Sequence, residues 1–319
     1  MEWLPVDDQQ IMSCLALEYG LRDAHLTFLP ISYAGETWVF HAETARGVFF
    51  LKLKRRLHEA GVAVSKLLLE LGIPVITPIQ AKNKQLWARL EDFSLLVFPF
   101  VEGHPIDPTT LDDSSWRTLG AIMRGVHNAP VPQALLGSLN KELFSPYGQE
   151  SFSKIESTLA SGIHTLSPVQ REFADLWMKS QGLVEGYFAL VQEKGQEAFL
   201  SSPSWCLCHG DLQPGNILQS GPNKLLLIDW DCPVWAPPER DLMFIDAQYR
   251  SRFEAGYGRI ETNKHVADYL SANWLLQEIL DYAERILFSA YVDDKERRSA
   301  LDAMSALIAK IGDNLGCGR

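Results

Sequence analysis

The chain's 319 residues, 46% of them hydrophobic, 10% aromatic and 22% charged, are those of a folded globular protein somewhat larger than one core usually serves, so two lobes are expected. A net charge of −11 disfavours nucleic acid and anionic membranes as partners and favours a small cationic ligand. No apolar run reaches the roughly 18 residues of a membrane span, and the opening MEWLPVDDQQ lacks the basic and apolar regions of a signal peptide, so a cytoplasmic protein without membrane attachment or obligate protein partner is expected.

The first hundred residues read as a helix followed by a β-rich run containing one more helix. DDQQIMSCLALEYG has an N-capping Asp, a partial apolar face from Ile11, Leu15 and Leu17, and a stop at Gly20. TFLPISY, ETWVFHAE and VFFLKLK are strand-like runs joined by short turns, the pattern of consecutive antiparallel hairpins. HEAGVAVSKLLLELG predicts a helix stopping at Gly72, and VITPIQ, KQLWARL and SLLVFPFV are expected to complete the sheet. After Phe100 the pattern turns helical, with DDSSWRTLGAIMRGVHNA, REFADLWMKSQGLVEGYFALVQE and the segments 265–290 and 295–312, while 131–165 shows no readable period. The expected organisation is therefore a lobe over 1–100 and a second over 101–319.

WCLCHGDLQPGNILQSGPNKLLLIDWD interrupts the helical half with a β-rich patch. Gly210, Pro214 and Gly215 break regular structure between two apolar flanks, so LCHGDLQPGNIL reads as strand, loop, strand, and KLLLIDWD as a buried strand ending on carboxylates. Such a hairpin brings Asp211, Asn216 and Asp229 together. One carboxylate then orients a hydroxyl and accepts its proton, while an amide and a second carboxylate hold a divalent metal on hard oxygens, which is the chemistry of phosphoryl transfer. Taken singly, Asp211 and Asn216 are also ordinary turn residues. His209 reads as a structural hydrogen-bonding residue, His127 as helix-end packing, Asp241 as a helix cap, and Trp230 and Trp235 as core or cleft wall. The five cysteines, odd in number and irregularly spaced, indicate a reducing compartment; Cys206, Cys208, His209 and Cys232 could be drawn as a zinc site, but Cys206 and Cys208 alternate with apolar residues as strand residues do, and one spacing does not make a tetrahedron.

HGDLQPGN (209–216) with IDWD (228–231) resembles the aminoglycoside phosphotransferases over nearly the whole chain, and APPERDLMFI and LKLK resemble the spectinomycin phosphotransferases in particular. The resemblance implies an α+β, bilobal protein-kinase-like fold, with an antiparallel-sheet N-lobe and a mostly helical C-lobe. It implies ATP as co-substrate, with GTP not excluded, magnesium, and an alcohol acceptor on a cationic aminocyclitol antibiotic, most simply spectinomycin, and hence a role in antibiotic resistance. Asp211 becomes the catalytic base, also touching the substrate, Asn216 and Asp229 the magnesium ligands, and Asp241 a brace for the catalytic loop from its helix start. Lys52 becomes the phosphate-binding lysine, with Lys54 on the same strand face as the alternative, and Glu59 is preferred to Glu70 as its helix partner. Ser32, Gly35 and Thr37 of SYAGET take the place of a glycine-rich nucleotide loop that here holds one glycine, and Phe98, Phe100 and Val101 occupy the adenine-binding hinge, where Pro99 has no N–H to donate. Asp231 is the carboxylate assigned to the substrate's ammonium groups, with Glu278 a further acidic candidate. A metabolic kinase for choline, a sugar or a thioribose, and a nucleotide-binding pseudokinase, are the alternatives; loss of the base or a metal ligand would mark the latter, and both are present.

Overall fold

The computed structural model describes residues 6–29, 37–162, 166–289 and 292–316, and Ser32 and Gly35 lie outside them. Two compact units emerge, Met1–Glu142 with Ser204–Glu261, and Leu143–Pro203 with Thr262–Arg319. Compactness thus groups the first hundred residues with the stretch carrying HGDLQPGN and IDWD, whereas the boundary expected at residue 100 follows the change from strand to helix.

The first unit opens with α1 (Asp8–Cys14), held at its start by reciprocal hydrogen bonds between Asp7 and Gln10 and continued by a wider turn over Leu15–Tyr19 that ends on Gly20 at φ 68°. Strands β1 (His25–Leu29), β2 (Thr37–Thr44) and β3 (Gly47–Lys54) follow as an antiparallel meander. Helix α2 (Glu59–Glu70) comes next, then β4 (Ala88–Leu90) and β5 (Phe93–Pro99), giving a five-stranded sheet in the order β1-β2-β3-β5-β4. Ile11, Leu15 and Leu21 are buried with Trp38, Phe40, Leu51, Leu53, Leu95 and Val97, so α1 and its extension share a core with the sheet.

VITPIQ is not a strand of that sheet. Pro74 and Pro78 remove backbone donors, and the segment makes a single bridge, Val75 with Leu227, before Ile79 N–H reaches Val97 O. KQLWARL likewise contributes only its last three residues.

β6 (His104–Pro105), α3 (Asp113–His127), a helical turn α4 (Gln133–Leu136) and β7 (Asn140–Lys141) complete the unit's first segment. The second unit then takes α5 (Gln149–Ala160) and the 33-residue α6 (Pro168–Leu200), which starts on a Ser167/Gln170 capping box with Pro168 in its first turn.

The chain returns to the first unit as β8 (Cys206–Cys208), β9 (Ile217–Gly221), β10 (Lys224–Leu227), β11 (Val234–Ala236), α7 (Glu239–Leu242) and α8 (Arg250–Tyr257). The hairpin is β9 with β10, β6 adding to its edge; β8 pairs instead with β11, which also takes β7 in parallel. Ala60, Val64 and Leu68 of α2 are buried with Trp116, Leu119 and Met123 of α3 and with Leu212, Ile217, Leu227 and Trp230, so α2 shares its core with the loop and hairpin. Helices α9 (Lys264–Phe288) and α10 (Asp294–Asn314) finish the second unit. Trp177, Tyr187, Tyr269, Leu276, Ile279, Met304 and Ile311 are among its buried residues. Among the described residues no helix is long and apolar enough to cross a membrane.

Candidate active site

The site belongs to the first unit. Between β8 and β9 the chain turns through Gly210 at φ 86°, where a Cβ would lie 2.3 Å from the Cys232 carbonyl oxygen, so glycine is required by both conformation and space. The fully buried Asp241 of α7 holds this turn: Oδ2 accepts the His209 backbone N–H at 2.8 Å and Oδ1 that of Gly210 at 2.9 Å. His127 Nε2 donates to the same carboxylate at 3.0 Å, and His127 Nδ1 meets the Tyr257 hydroxyl at 2.7 Å. Burial alone would raise the Asp241 carboxyl, but the hydrogen bond and charge of His127, with the His209 ring and N–H, outweigh it and hold the group below its ordinary value. Asp241 is therefore a brace, and His127 does more than fill a helix end. The buried His209 donates from Nε2 to Ile228 O at 2.9 Å, which fixes the tautomer and leaves Nδ1 to accept the Asp211 N–H at 3.4 Å. His209 thus ties the loop to the segment carrying Asp229.

The loop presents Asp211 and Asn216 to each other. Asn216 Nδ2 donates to Asp211 Oδ2 at 2.9 Å and to its backbone carbonyl at 2.8 Å, and Gln213 Nε2 donates to Oδ1 at 2.8 Å. Each carboxylate oxygen keeps a further lone pair for an incoming hydroxyl. The Ile228 N–H binds Asn216 O at 3.0 Å, which brings the next residue, Asp229, beside the loop. Asp229 has φ 62°, a left-handed conformation seldom taken by a residue with a side chain. A divalent cation fits the donors present: the Asn216 nitrogen is committed to Asp211, so its hard carbonyl oxygen is the end able to join the Asp229 carboxylate.

Lys52 on β3 reaches this segment. Its Nζ lies 2.8 Å from Asp229 Oδ1 and 3.5 Å from Asp231 Oδ2, while Lys54 Nζ lies 2.6 Å from Asp231 Oδ2. Burial would lower the Lys52 pKa, but the two carboxylates more than offset it and the lysine stays charged. Burial would raise Asp231, yet the two lysines hold it well below the usual carboxylate range. Among the described residues Lys52 pairs with these carboxylates and not with Glu59. Glu59 is exposed in the first turn of α2, where a negative charge complements the helix dipole. Glu70, in the last turn, has an ion pair with Lys66.

Thr37 opens β2 opposite Lys54 in the β2–β3 register. Phe98 is paired with Phe50 across β3–β5, and the exposed Phe100 donates its N–H to Val48 O at 3.2 Å, so that amide is already occupied; Val101, half-buried, follows. Glu278 lies in the second unit, on α9. The Cys206 and Cys208 thiols lie 3.6 Å apart and point toward the Ala236 and Pro237 carbonyls, His209 faces Ile228, and Cys232 is exposed, so the four residues do not form a zinc tetrahedron. Sequence reasoning missed the Lys54–Asp231 pair and the Gln213 contact. The strand period placed both lysines on one face without naming their partner, and Gln213 was visible only as a loop residue.

Comparison with known proteins gives a consistent likeness. The spectinomycin phosphotransferase APH(9)-Ia, solved in complex with ADP and spectinomycin, superposes with a TM-score of 0.81 at 23% identity, over 97% of this chain and 98% of that one. The amicoumacin kinase hAmiN, solved with AMP-PNP, Ca2+ and Ami, gives 0.67 at 17% identity over 97% and 94%. Protein StrN of Streptomyces griseus is 26% identical over 271 residues, 82% of this chain and 79% of StrN. The antiparallel N-terminal sheet and helical C-terminal region are those of the protein-kinase-like phosphotransferases. The model of the phosphotransferase enzyme family matches residues 27–275, the larger part of the chain, and the protein belongs to that family.

Proposed function

We propose that the chain transfers the γ-phosphate of ATP to a hydroxyl of a cationic aminocyclitol, with spectinomycin the leading acceptor. The observation that carries the chemistry is the hydrogen-bonded pair of Asp211 and Asn216 with Asp229 brought beside it through the Ile228–Asn216 backbone bond. In this reading Asp211 orients the acceptor hydroxyl and takes its proton. Asn216 and Asp229 would hold magnesium, which would supply positive charge to the phosphates. Lys52 leaves Asp229 for the α and β phosphates, and Asp241 keeps the loop in place without touching the reactants. The segment from Phe98 to Val101 offers the adenine edge its main-chain groups other than the occupied Phe100 N–H, with Ser32, Gly35 and Thr37 at the nucleotide loop. GTP is the alternative donor.

The choice of acceptor is supported by the APPERDLMFI stretch and by the extent of the likeness to a phosphotransferase solved with spectinomycin. A resistance role in the cytoplasm accompanies that choice. A choline kinase, LicA from Streptococcus pneumoniae, shares the fold at a TM-score of 0.60, which keeps a metabolic acceptor as the second reading. The test incubates the protein with ATP and magnesium and, separately, spectinomycin, kanamycin, choline, methylthioribose and simple sugars, following ADP release and product mass. Phosphorylated spectinomycin with little or no phosphorylated kanamycin is expected. Phosphorylated choline, thioribose or sugar beside untouched spectinomycin would replace the acceptor, and no phosphorylated product from any of them would point to a pseudokinase.

A further inference from the structure

Two strand lysines and two carboxylates meet within the first unit. Lys52 and Lys54, two apart on β3, face the same side and converge on one oxygen, Asp231 Oδ2, at 3.5 and 2.6 Å. Lys54 is only 6% exposed. A buried ammonium is tolerated where it is paired, and this one is paired with Asp231. The turn carrying the carboxylates is also fixed from the opposite direction. Gly61 of α2 packs so closely on it that a Cβ there would stand 2.0 Å from the Trp230 carbonyl oxygen, and the Trp230 side chain is itself buried. Asp231 is therefore held by Lys54 in front and by the seating of α2 behind.

Resting on the phosphotransfer reading above, we infer that Asp231, clamped by Lys54, is the positioning residue that aims Lys52 at the nucleotide phosphates, in place of a helix glutamate and of a contact with the acceptor. A cation bound at Asp229 competes for the carboxylate that now takes Lys52 at 2.8 Å and repels the lysine's charge. Asp231, already within reach of Lys52 and fixed by a second lysine, is the carboxylate that then holds Lys52 in line. An oxygen shared by two lysines has its charge matched before any ammonium of an acceptor arrives, which removes the reason for assigning Asp231 to the substrate. Without Asp231, both lysines turn to Asp229 and compete there with the cation.

The test uses the full chain as wild type, Asp231→Asn, Lys54→Met and the double variant. Calorimetric titration with AMP-PNP across a magnesium series is followed by KM for ATP and for whichever acceptor the wild type phosphorylates. Asp231→Asn is expected to weaken nucleotide binding about tenfold, a typical coupling between contacting charged groups, and to raise the magnesium needed for half-saturation. The acceptor KM should stay within about twofold on the same scale. Lys54→Met should weaken nucleotide binding too, since it releases Asp231, and the double variant should lose less than the sum of the single losses because neither charge is left unpaired. Should Asp231→Asn fail to fold, as judged by circular dichroism, Lys54→Met carries the test alone. A raised acceptor KM with unchanged nucleotide affinity overturns the inference in favour of substrate contact. Lowered thermal stability with nucleotide and magnesium titrations unmoved overturns it in favour of a purely structural pair. A wild type that binds no nucleotide at any magnesium concentration overturns the phosphotransfer reading itself, and this role with it.

Discussion

Asp241 shows how much one buried carboxylate can organise. It accepts two consecutive backbone N–H groups and a histidine, and its lowered pKa means that its ionised form is bound more strongly in the folded state than in the unfolded one. The sign follows: this contribution is present in full above the ordinary value of 3.8 and is lost as pH falls through the lower folded-state value. Asp241→Asn should therefore lower the unfolding free energy from urea titration at neutral pH by about 3 kcal/mol, as for a broken buried pair, and the gap to wild type should narrow below about pH 4. A gap that stays constant down to the acid transition would assign the loss to packing. At Asp211, Asn keeps the shape and removes the proton acceptor, so turnover should drop on the order of 100- to 10,000-fold while nucleotide titration remains close to wild type. Asp229→Ala should abolish transfer at ordinary magnesium with the fold retained by circular dichroism, since a hard oxygen ligand goes but no core volume does. Asp211 and Asp229 were legible as candidates in the sequence because HGDLQPGN and IDWD set them in two short polar runs on either side of one apolar hairpin. Asp231 was legible as a carboxylate near the site but not as the partner of Lys54, because that pairing depends on how far β3 runs beside a turn distant in the chain.

The elements divide along similar lines. Helices α3, α6, α9 and α10 were legible because their apolar faces run for three turns or more, and the hairpins around β2 and β3 because short turns separate β-rich runs. VITPIQ was misread because its apolar pattern suits a strand, whereas Pro78 within it and Pro74 just before it do not. The short α4 and α5 in 131–165 were hidden by Ser, Gly and Pro content. The crossing of α3 and α8 carried no sequence signal at all: a Cβ on Gly120 would fall 2.1 Å from the Phe253 carbonyl oxygen, and one on Gly256 1.8 Å from that of Arg117. The two helix backbones touch through these glycines. Gly256→Ala should therefore destabilise, despite the better helix propensity of alanine, by about 1–3 kcal/mol as overpacking does. Denaturant unfolding with an unchanged slope is the measurement; a variant as stable as wild type would mean that the helices separate at little cost.

For the whole molecule, composition indicated a two-part protein, and the change of pattern at Phe100 marked where strands give way to helices. It did not reveal that each compact unit is made of two separate segments, since composition follows local pattern and compactness follows contacts between distant residues. The net charge of −11 acts at this scale too. If the acceptor is cationic, its kcat/KM should fall as sodium chloride rises, as long-range attraction is screened; an uncharged sugar acceptor would show little such slope.

The interleaving of the units bears on the order of synthesis. Lys52 leaves the ribosome 177 residues before Asp229, and the whole of Leu143–Pro203 is made in between. At about 5–20 residues per second, β3 waits roughly 10 to 35 seconds for the carboxylates that neutralise its lysines. During that interval the sheet can form around α1, but Lys54 has no Asp231 to meet and α2 has no Trp230 turn to sit against. The nascent chain therefore carries an unpaired cationic strand end, and an α2 covered by α3 but not by the Trp230 turn, until residue 231 has emerged, which makes this period of translation the one in which a chaperone has most to shield.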